Sequence, residues 1–222
     1  MNDPILDMRV KIAAIGQMLF ERKLTDAAGG NISVRVGEKI CITPRYAGSK
    51  HRWHLRSEQV LVTDLDGKQL AGDGQVSREA KVHYRIYRDF PDVTAVVHCH
   101  AQNALVFASA GCPIEPVLEN TLKFGTILVS AYAPAHSEKL ADFVSTALFG
   151  QDDRIRKQAA GVLAPGHGLF VAGKDLDAAF DAAERIDTNA RCILFSRLLP
   201  DSEHITPKII RARLEAGMRD FS

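Results

Sequence analysis

The feature that most limits what this chain can fold into is its alternation of short strand-like segments with helical ones. Residues 31–36 (Asn-Ile-Ser-Val-Arg-Val) alternate polar and apolar, and residues 39–43 and 59–63 follow as further short apolar-rich runs between turn residues. That pattern predicts short antiparallel strands. Between residues 5 and 20, Met8, Ile12, Ile15, Leu19 and Phe20 recur at helical spacing, and the pattern stops before Ala28-Gly29-Gly30. Further helices are predicted from near Ser77 to Tyr87, over 102–110 and over 137–148, with strands over 93–98, 126–129, near Val162 and over 169–171. The longest periodic segment spans 175–199: Leu176, Ala179, Phe180, Ala183, Ile186, Ala190, Ile193 and Leu194 form one apolar stripe, with Gly173 before it and Pro200 after it. It reads as one long helix with a buried face.

A chain of 222 residues is near the upper end for a single compact domain, and no internal repeat divides it, so one domain over 1–222 is expected. A formal charge of +1 gives no electrostatic footprint for nucleic acid or an anionic membrane, which leaves a small molecule as the expected partner. The N-terminus lacks a basic segment followed by an apolar stretch, and no run approaches the roughly 20 apolar residues of a membrane span. A cytoplasmic protein is expected. Cys41, Cys99, Cys112 and Cys192 form no Cys-x-x-Cys pair and sit among apolar residues, the pattern of free structural thiols. Residues 44–56 hold Gly48, Ser49, basic residues and two histidines, a composition that predicts an exposed, mobile loop.

His98 and His100 lie two residues apart, which puts both on one face of an extended strand but not of a helix. The predicted strand before them supplies that geometry. Three neutral imidazoles bind a divalent ion and leave a coordination position open for water or substrate. His167, in Pro165-Gly166-His167-Gly168, is the best third candidate, because a glycine-flanked turn can present a side chain at a sheet edge. His51, His54, His83, His136 and His204 lack such a setting, and with eight histidines in the chain a His-x-His pair also arises readily by chance. Ser77-Arg78-Glu79, at a predicted helix start, could bind an anion or simply cap the helix. Gly29-Gly30-Asn31 could offer backbone N–H groups to phosphate oxygens or form an ordinary helix-to-strand turn.

Taken together and in order, Gly30-Asn31-Ile32-Ser33, Ile42-Thr43-Pro44, Ser77-Arg78-Glu79, His98-Cys99-His100 and Gly166-His167-Gly168 resemble the class II aldolase/adducin family. The likeness extends to Phe90-Pro91-Asp92-Val93 before the histidine pair and to Glu184-Arg185-Ile186-Asp187 in the long helix. It implies an α/β fold, a three-layer α/β/α sandwich around a mostly antiparallel sheet, assembled as a homotetramer with active sites at subunit interfaces. It further implies a Zn2+ ion, or another divalent metal such as Mn2+ or Co2+, held by His98, His100 and His167 with Glu79 as movable carboxylate and acid-base catalyst. Gly30, Asn31, Thr43, Ser77 and Arg78 would hold the phosphate of a sugar phosphate. The implied reaction is cleavage of a ketose 1-phosphate to dihydroxyacetone phosphate and an aldehyde through a metal-stabilised enediolate.

The chain departs from the family pattern at Arg78, where serine is frequent, and at Pro44-Arg45, where small residues are frequent. No tyrosine stands after the histidine pair, where Val117-Leu118-Glu119-Asn120 replaces the proton-donor region of the fuculose-phosphate aldolases. The same framework also serves sugar-phosphate 4-epimerases, which often have aspartate where Glu79 stands, as well as methylthioribulose-phosphate dehydratases and oxo-tetronate-phosphate decarboxylases. A non-catalytic adducin-like binding module is the alternative of another class, and the retained His98, His100, His167 and Glu79 argue against it. The aldehyde half of the substrate would be read by loops and by a flexible C-terminal segment, residues 202–222.

Overall fold

The computed structural model describes residues 3–200, 202 and 205–219. Eight strands form one sheet in the order β4-β3-β2-β1-β5-β8-β7-β6. They are β1 (Asn31–Val36), β2 (Lys39–Ile42), β3 (Leu61–Thr63), β4 (Gln69–Ala71), β5 (Ala95–Cys99), β6 (Leu128–Val129), β7 (Ala159–Ala164) and β8 (Gly168–Gly173). Every neighbouring pair is antiparallel except β6 with β7. Helices cover both faces. On one side, α1 (Pro4–Glu21), α3 (Gln102–Ala110) and α6 (Leu176–Ser196) pack with Val34, Val97 and Val171; on the other, α2 (Ala80–Asp89), α4 (Glu138–Leu148) and α5 (Asp152–Lys157) pack with Val96, Val162 and Phe170. The α/β/α sandwich with a mostly antiparallel sheet is therefore present. Its two cores follow from the period-2 alternation of each central strand, which sends successive side chains to opposite faces.

Several boundaries differ from the expectation. The helix expected near Ser77 starts at Ala80, because Arg78 and Glu79 form a turn closed by the Ala80 N–H to the Ser77 carbonyl at 3.1 Å. Residues 44–56 are not simply an exposed loop. Trp53 is fully buried, its ring beside Gly16 of α1 and its indole N–H donating to the Asp26 carbonyl at 2.9 Å. The C-terminal stretch contains a helix, α7 (Pro207–Arg219), tied back by Ile210 against the core and by Arg211 to Glu115 at 3.4 Å. His204 and residues 203 and 220–222 of that stretch lie outside the described residues. All four cysteines are free, but only Cys41 and Cys99 are buried; Cys112 and Cys192 are exposed. Burial pushes the Cys41 thiol up to about 11 and the Cys99 thiol up to about 12. Among the described residues no helix is long and apolar enough to cross a membrane.

Candidate active site

The sheet register assembles the site. His98 near the end of β5 pairs with Asn31 at the start of β1 and with Phe170 in β8, so the three side chains form one row on the α2 face. The β7–β8 hairpin turns through residues 165–167, where the His167 N–H returns to the Ala164 carbonyl at 3.0 Å and Gly166 takes φ +63°. That turn brings His167 over the same row. The rings stack in sequence: His98 lies 4.1 Å from Phe170 and 4.8 Å from His167, both at 11°.

Glu79, 5% exposed, enters from the turn before α2. Its Oε1 lies 2.9 Å from His167 Nε2 and 3.3 Å from His136 Nδ1, and its Oε2 lies 3.4 Å from His98 Nε2. Glu79, His98 and His167 each offer a ligand atom within 4.8 Å of the other two. His100 stands beside this close group, its ring 5.2 Å from that of His98 and 6.0 Å from that of His167. Two of the histidine rings are fixed from behind: His98 Nδ1 faces the Leu169 carbonyl at 3.1 Å, and His100 Nδ1 lies 3.2 Å from both oxygens of Asp26. Such anchoring leaves Nε2 as the free ligating atom. Asp26 itself is set by accepting the Ala28 and Gly29 N–H groups.

Glycine is required close to these rings. A Cβ at Gly29 would stand 2.3 Å from His100 Cε1, and one at Gly168 would stand 2.7 Å from the Cys99 carbonyl and 3.1 Å from His98 Cε1. Burial works against a charge on Glu79, but His167, His98 and the Asn31 amide outweigh it and hold the carboxyl below its usual range. Burial keeps His98 neutral, with its protonation pushed well below the ordinary imidazole range. The donor set fits a divalent cation. His98 Nε2 and His167 Nε2 are buried and face the Glu79 carboxylate, at 3.4 and 2.9 Å, an arrangement of three ligand atoms that a cation between them would satisfy.

The expected phosphate contacts divide. Gly30, Asn31, Ser77 and Arg78 line a cleft of about 270 Å³ together with Glu79, His100, His136 and His167, whereas Thr43 does not line it. Thr43 is fully buried and its hydroxyl oxygen accepts the Ile32 N–H at 3.0 Å. Asn31 donates to Glu79 Oε2 at 3.1 Å, and its carbonyl oxygen faces His83 Nε2, while Ser77 Oγ accepts the Glu79 N–H at 3.2 Å. Two residues set aside on sequence grounds therefore belong to the site. His83, fully buried on α2, orients Asn31 and also meets Ser33 Oγ at 2.7 Å. His136 comes from the loop before α4 with φ +67°. No spacing links His136 to the other histidines; an aromatic ring in a Pro-Ala-His-Ser turn was the only local signal.

A profile of the class II aldolase and adducin N-terminal domain matches residues 10–194. A 5-deoxy-D-ribulose 1-phosphate aldolase of Bacillus thuringiensis serovar kurstaki is 29% identical over 203 residues, covering 88% of this chain and 91% of the relative. A 3-oxo-tetronate 4-phosphate decarboxylase of Haemophilus influenzae is 31% identical over 185 residues, covering 80% and 82% of the two chains. A solved L-fuculose 1-phosphate aldolase has the same fold, with a TM-score of 0.78 at 23% identity over 97% of this chain and 98% of that one.

Proposed function

The chain belongs to the class II aldolase and adducin family, and from that premise we propose that it is a zinc-dependent aldehyde-lyase cleaving a ketose 1-phosphate. The observation that carries this reading is the convergence of two buried imidazole nitrogens, His98 Nε2 and His167 Nε2, on the Glu79 carboxylate. A binding module has no use for such a buried cluster of ligand atoms, because taking these polar groups out of water costs stability. The proposed ligands are His98, His100 and His167, with Glu79 able to join them. A divalent ion there supplies Lewis-acid polarisation of a substrate carbonyl.

The residues of the chain do the remaining work. Glu79 is ionised, shielded from water and able to take a proton from, or return one to, a carbon beside the carbonyl. Asn31, held by His83, and Ser77 fix its carboxylate and backbone. Gly30 allows the turn, at φ +98°, that brings β1 against the histidines. Ser77 and Arg78 open on the cleft and are proposed to meet the substrate's phosphate. The proposal extends to a homotetramer; exposed Tyr132 (70%) and Leu198 (77%) are apolar surface of the kind that subunit contacts cover.

The test is the metal content of the purified protein, with the same preparation assayed for dihydroxyacetone phosphate release from a panel of ketose 1-phosphates. About one zinc per chain with cleavage supports the reading. Zinc without cleavage transfers it to the decarboxylase, dehydratase or epimerase chemistry of the same framework. Decarboxylation is the second reading to assay, since a relative as similar as the decarboxylase above accompanies the cationic cleft wall formed by Arg45 and Arg78.

A further inference from the structure

Each oxygen of Glu79 faces two nitrogen groups. Oε1 lies 2.9 Å from His167 Nε2 and 3.3 Å from His136 Nδ1; Oε2 lies 3.1 Å from Asn31 Nδ2 and 3.4 Å from His98 Nε2. His98 and His167 belong to the proposed ligand set, and an imidazole nitrogen that gives its lone pair to a cation has no hydrogen left to donate. Among the described residues, Asn31 is then the remaining partner of Oε2 and His136 the remaining partner of Oε1. Asn31 is braced by His83. His136 is braced by its own turn.

That turn, Pro134-Ala135-His136-Ser137, is closed by the Ser137 N–H to the Pro134 carbonyl at 3.3 Å, with His136 as its third residue at φ +67°. Turns with positive φ at that place take glycine or asparagine, so a histidine there strains the backbone. Such strain persists only where the surroundings hold it. Here Ser137 caps α4 by accepting the Leu140 N–H at 3.1 Å, and Lys81 of α2 meets Glu138 of α4 at 2.7 Å. The turn that carries His136 is thereby tied to the helix whose first residue follows Glu79. The His136 ring lines the cleft, and its Nδ1 is buried toward Glu79 although 37% of the side chain is exposed. An ionised carboxylate only accepts, so Nδ1 is the ring nitrogen that carries the hydrogen facing it.

We propose that His136 is a positioning residue: it donates from Nδ1 to Glu79 Oε1 and, with Asn31 on Oε2, keeps the carboxylate available as a base rather than as a permanent metal ligand. The hydrogen bond is charge-assisted, the kind strong enough to compete for a carboxylate oxygen. The strained turn has a use in that case, since glycine would fit the backbone but leave Oε1 free to bind the metal. This deepens the lyase reading and rests on its ligand set.

The experiment is cobalt titration of the full-length chain, read by the visible d–d bands and by affinity, in wild type, His136→Gly, Glu79→Gln and the double variant. Glycine suits φ +67°, and thermal melts without metal check that His136→Gly is folded; His136→Asn, which also tolerates that φ, replaces it if it is not. His136→Gly is expected to bind cobalt about tenfold more tightly, the equivalent of one hydrogen bond to a charged group no longer competing for Oε1. Its band pattern should change as Glu79 enters the coordination shell. In the Glu79→Gln background the same substitution is expected to change neither. Turnover of any ketose 1-phosphate that wild type cleaves should fall about tenfold or more in kcat, with little change in KM. Cobalt spectra and affinity identical in wild type and His136→Gly overturn the proposal, as does an effect of the same size in the Glu79→Gln background. A wild type that binds neither cobalt nor zinc refutes the ligand set and this proposal with it, whereas cobalt binding that ignores His136 removes only the positioning role.

Discussion

Replacing Gly29 with alanine tests whether His100 ligates the metal. Gly29, unlike Gly30 at φ +98°, is outside the left-handed region, so alanine adds a methyl group without backbone strain. That methyl would sit 2.3 Å from His100 Cε1 and 2.6 Å from its Nε2. Ordinary carbon contacts are about 3.5–4.0 Å, so the imidazole must retreat by more than about 1 Å. Such a swing breaks its 3.2 Å contacts with Asp26. Losing a carboxylate that orients a metal-binding histidine costs about 10- to 100-fold in metal affinity, or about 1.4–2.7 kcal/mol. The ring is not in the core, so the cost to the fold should lie near the low end of the ~1–3 kcal/mol typical of overpacking. Zinc affinity measured by competition with a chromophoric chelator, beside thermal melts in excess chelator, separates the two costs. A Gly29→Ala protein that binds zinc as tightly as wild type would refute the reasoning, and would leave Glu79, His98 and His167 as the whole ligand set.

Other substitutions probe other parts. Glu79→Gln keeps the shape of the side chain but not its base, and is expected to retain zinc while turnover falls at least about 100-fold; near-normal turnover would remove Glu79 from proton transfer. His167→Ala is expected to lose zinc on dialysis, and a fully loaded variant by elemental analysis would take His167 out of the site. Burial pushes the His83 imidazole down to about 3, with Glu79 opposing. The unfolded chain therefore binds a proton near pH 6.5 that the folded chain refuses, so this contribution is intact above about pH 6.5 and is lost toward pH 3 at roughly 1.4 kcal/mol per pH unit. Urea midpoints that fail to drop between pH 7 and pH 5 would contradict a neutral His83. Trp53→Ala, at a fully buried site, is expected to cost about 3–5 kcal/mol in chemical denaturation; a loss below 1 kcal/mol would mean that the 44–56 segment is not anchored by that ring.

The parts of the fold that could be read in the sequence are those where a period reports a face. The stripe of α6 and the alternation of β1 are examples, and His98 followed two residues later by His100 required extended backbone, which β5 supplies as far as Cys99. Glycine on both sides of His167 marked its turn. What escaped is set by contacts between distant residues. Trp53 looks like a surface aromatic among basic neighbours until Gly16 opens a space for it on α1. His83 and His136 lie 53 residues apart and join the site because α2 packs on α4, a contact no local pattern encodes. Thr43 stands in a motif that implies a phosphate contact, and its hydroxyl oxygen accepts the Ile32 N–H, a contact that motif does not disclose. At each of these positions the surroundings follow from distant neighbours rather than from the residue's type.

The two ends of the sheet bear on how copies of this chain can meet. The outermost strands are short: β4 is three exposed residues, no longer than its inner neighbour β3, and β6 is two, joined to β7 in the one parallel pairing. A strand so brief exposes few unpaired backbone groups, so neither border offers a template on which another polypeptide could continue the ladder. Short borders favour contacts between copies made by side chains on helices and loops over open-ended addition at a border. A sheet with eight strands and almost no free edge is thus defended against runaway polymerisation by the brevity of its last residues.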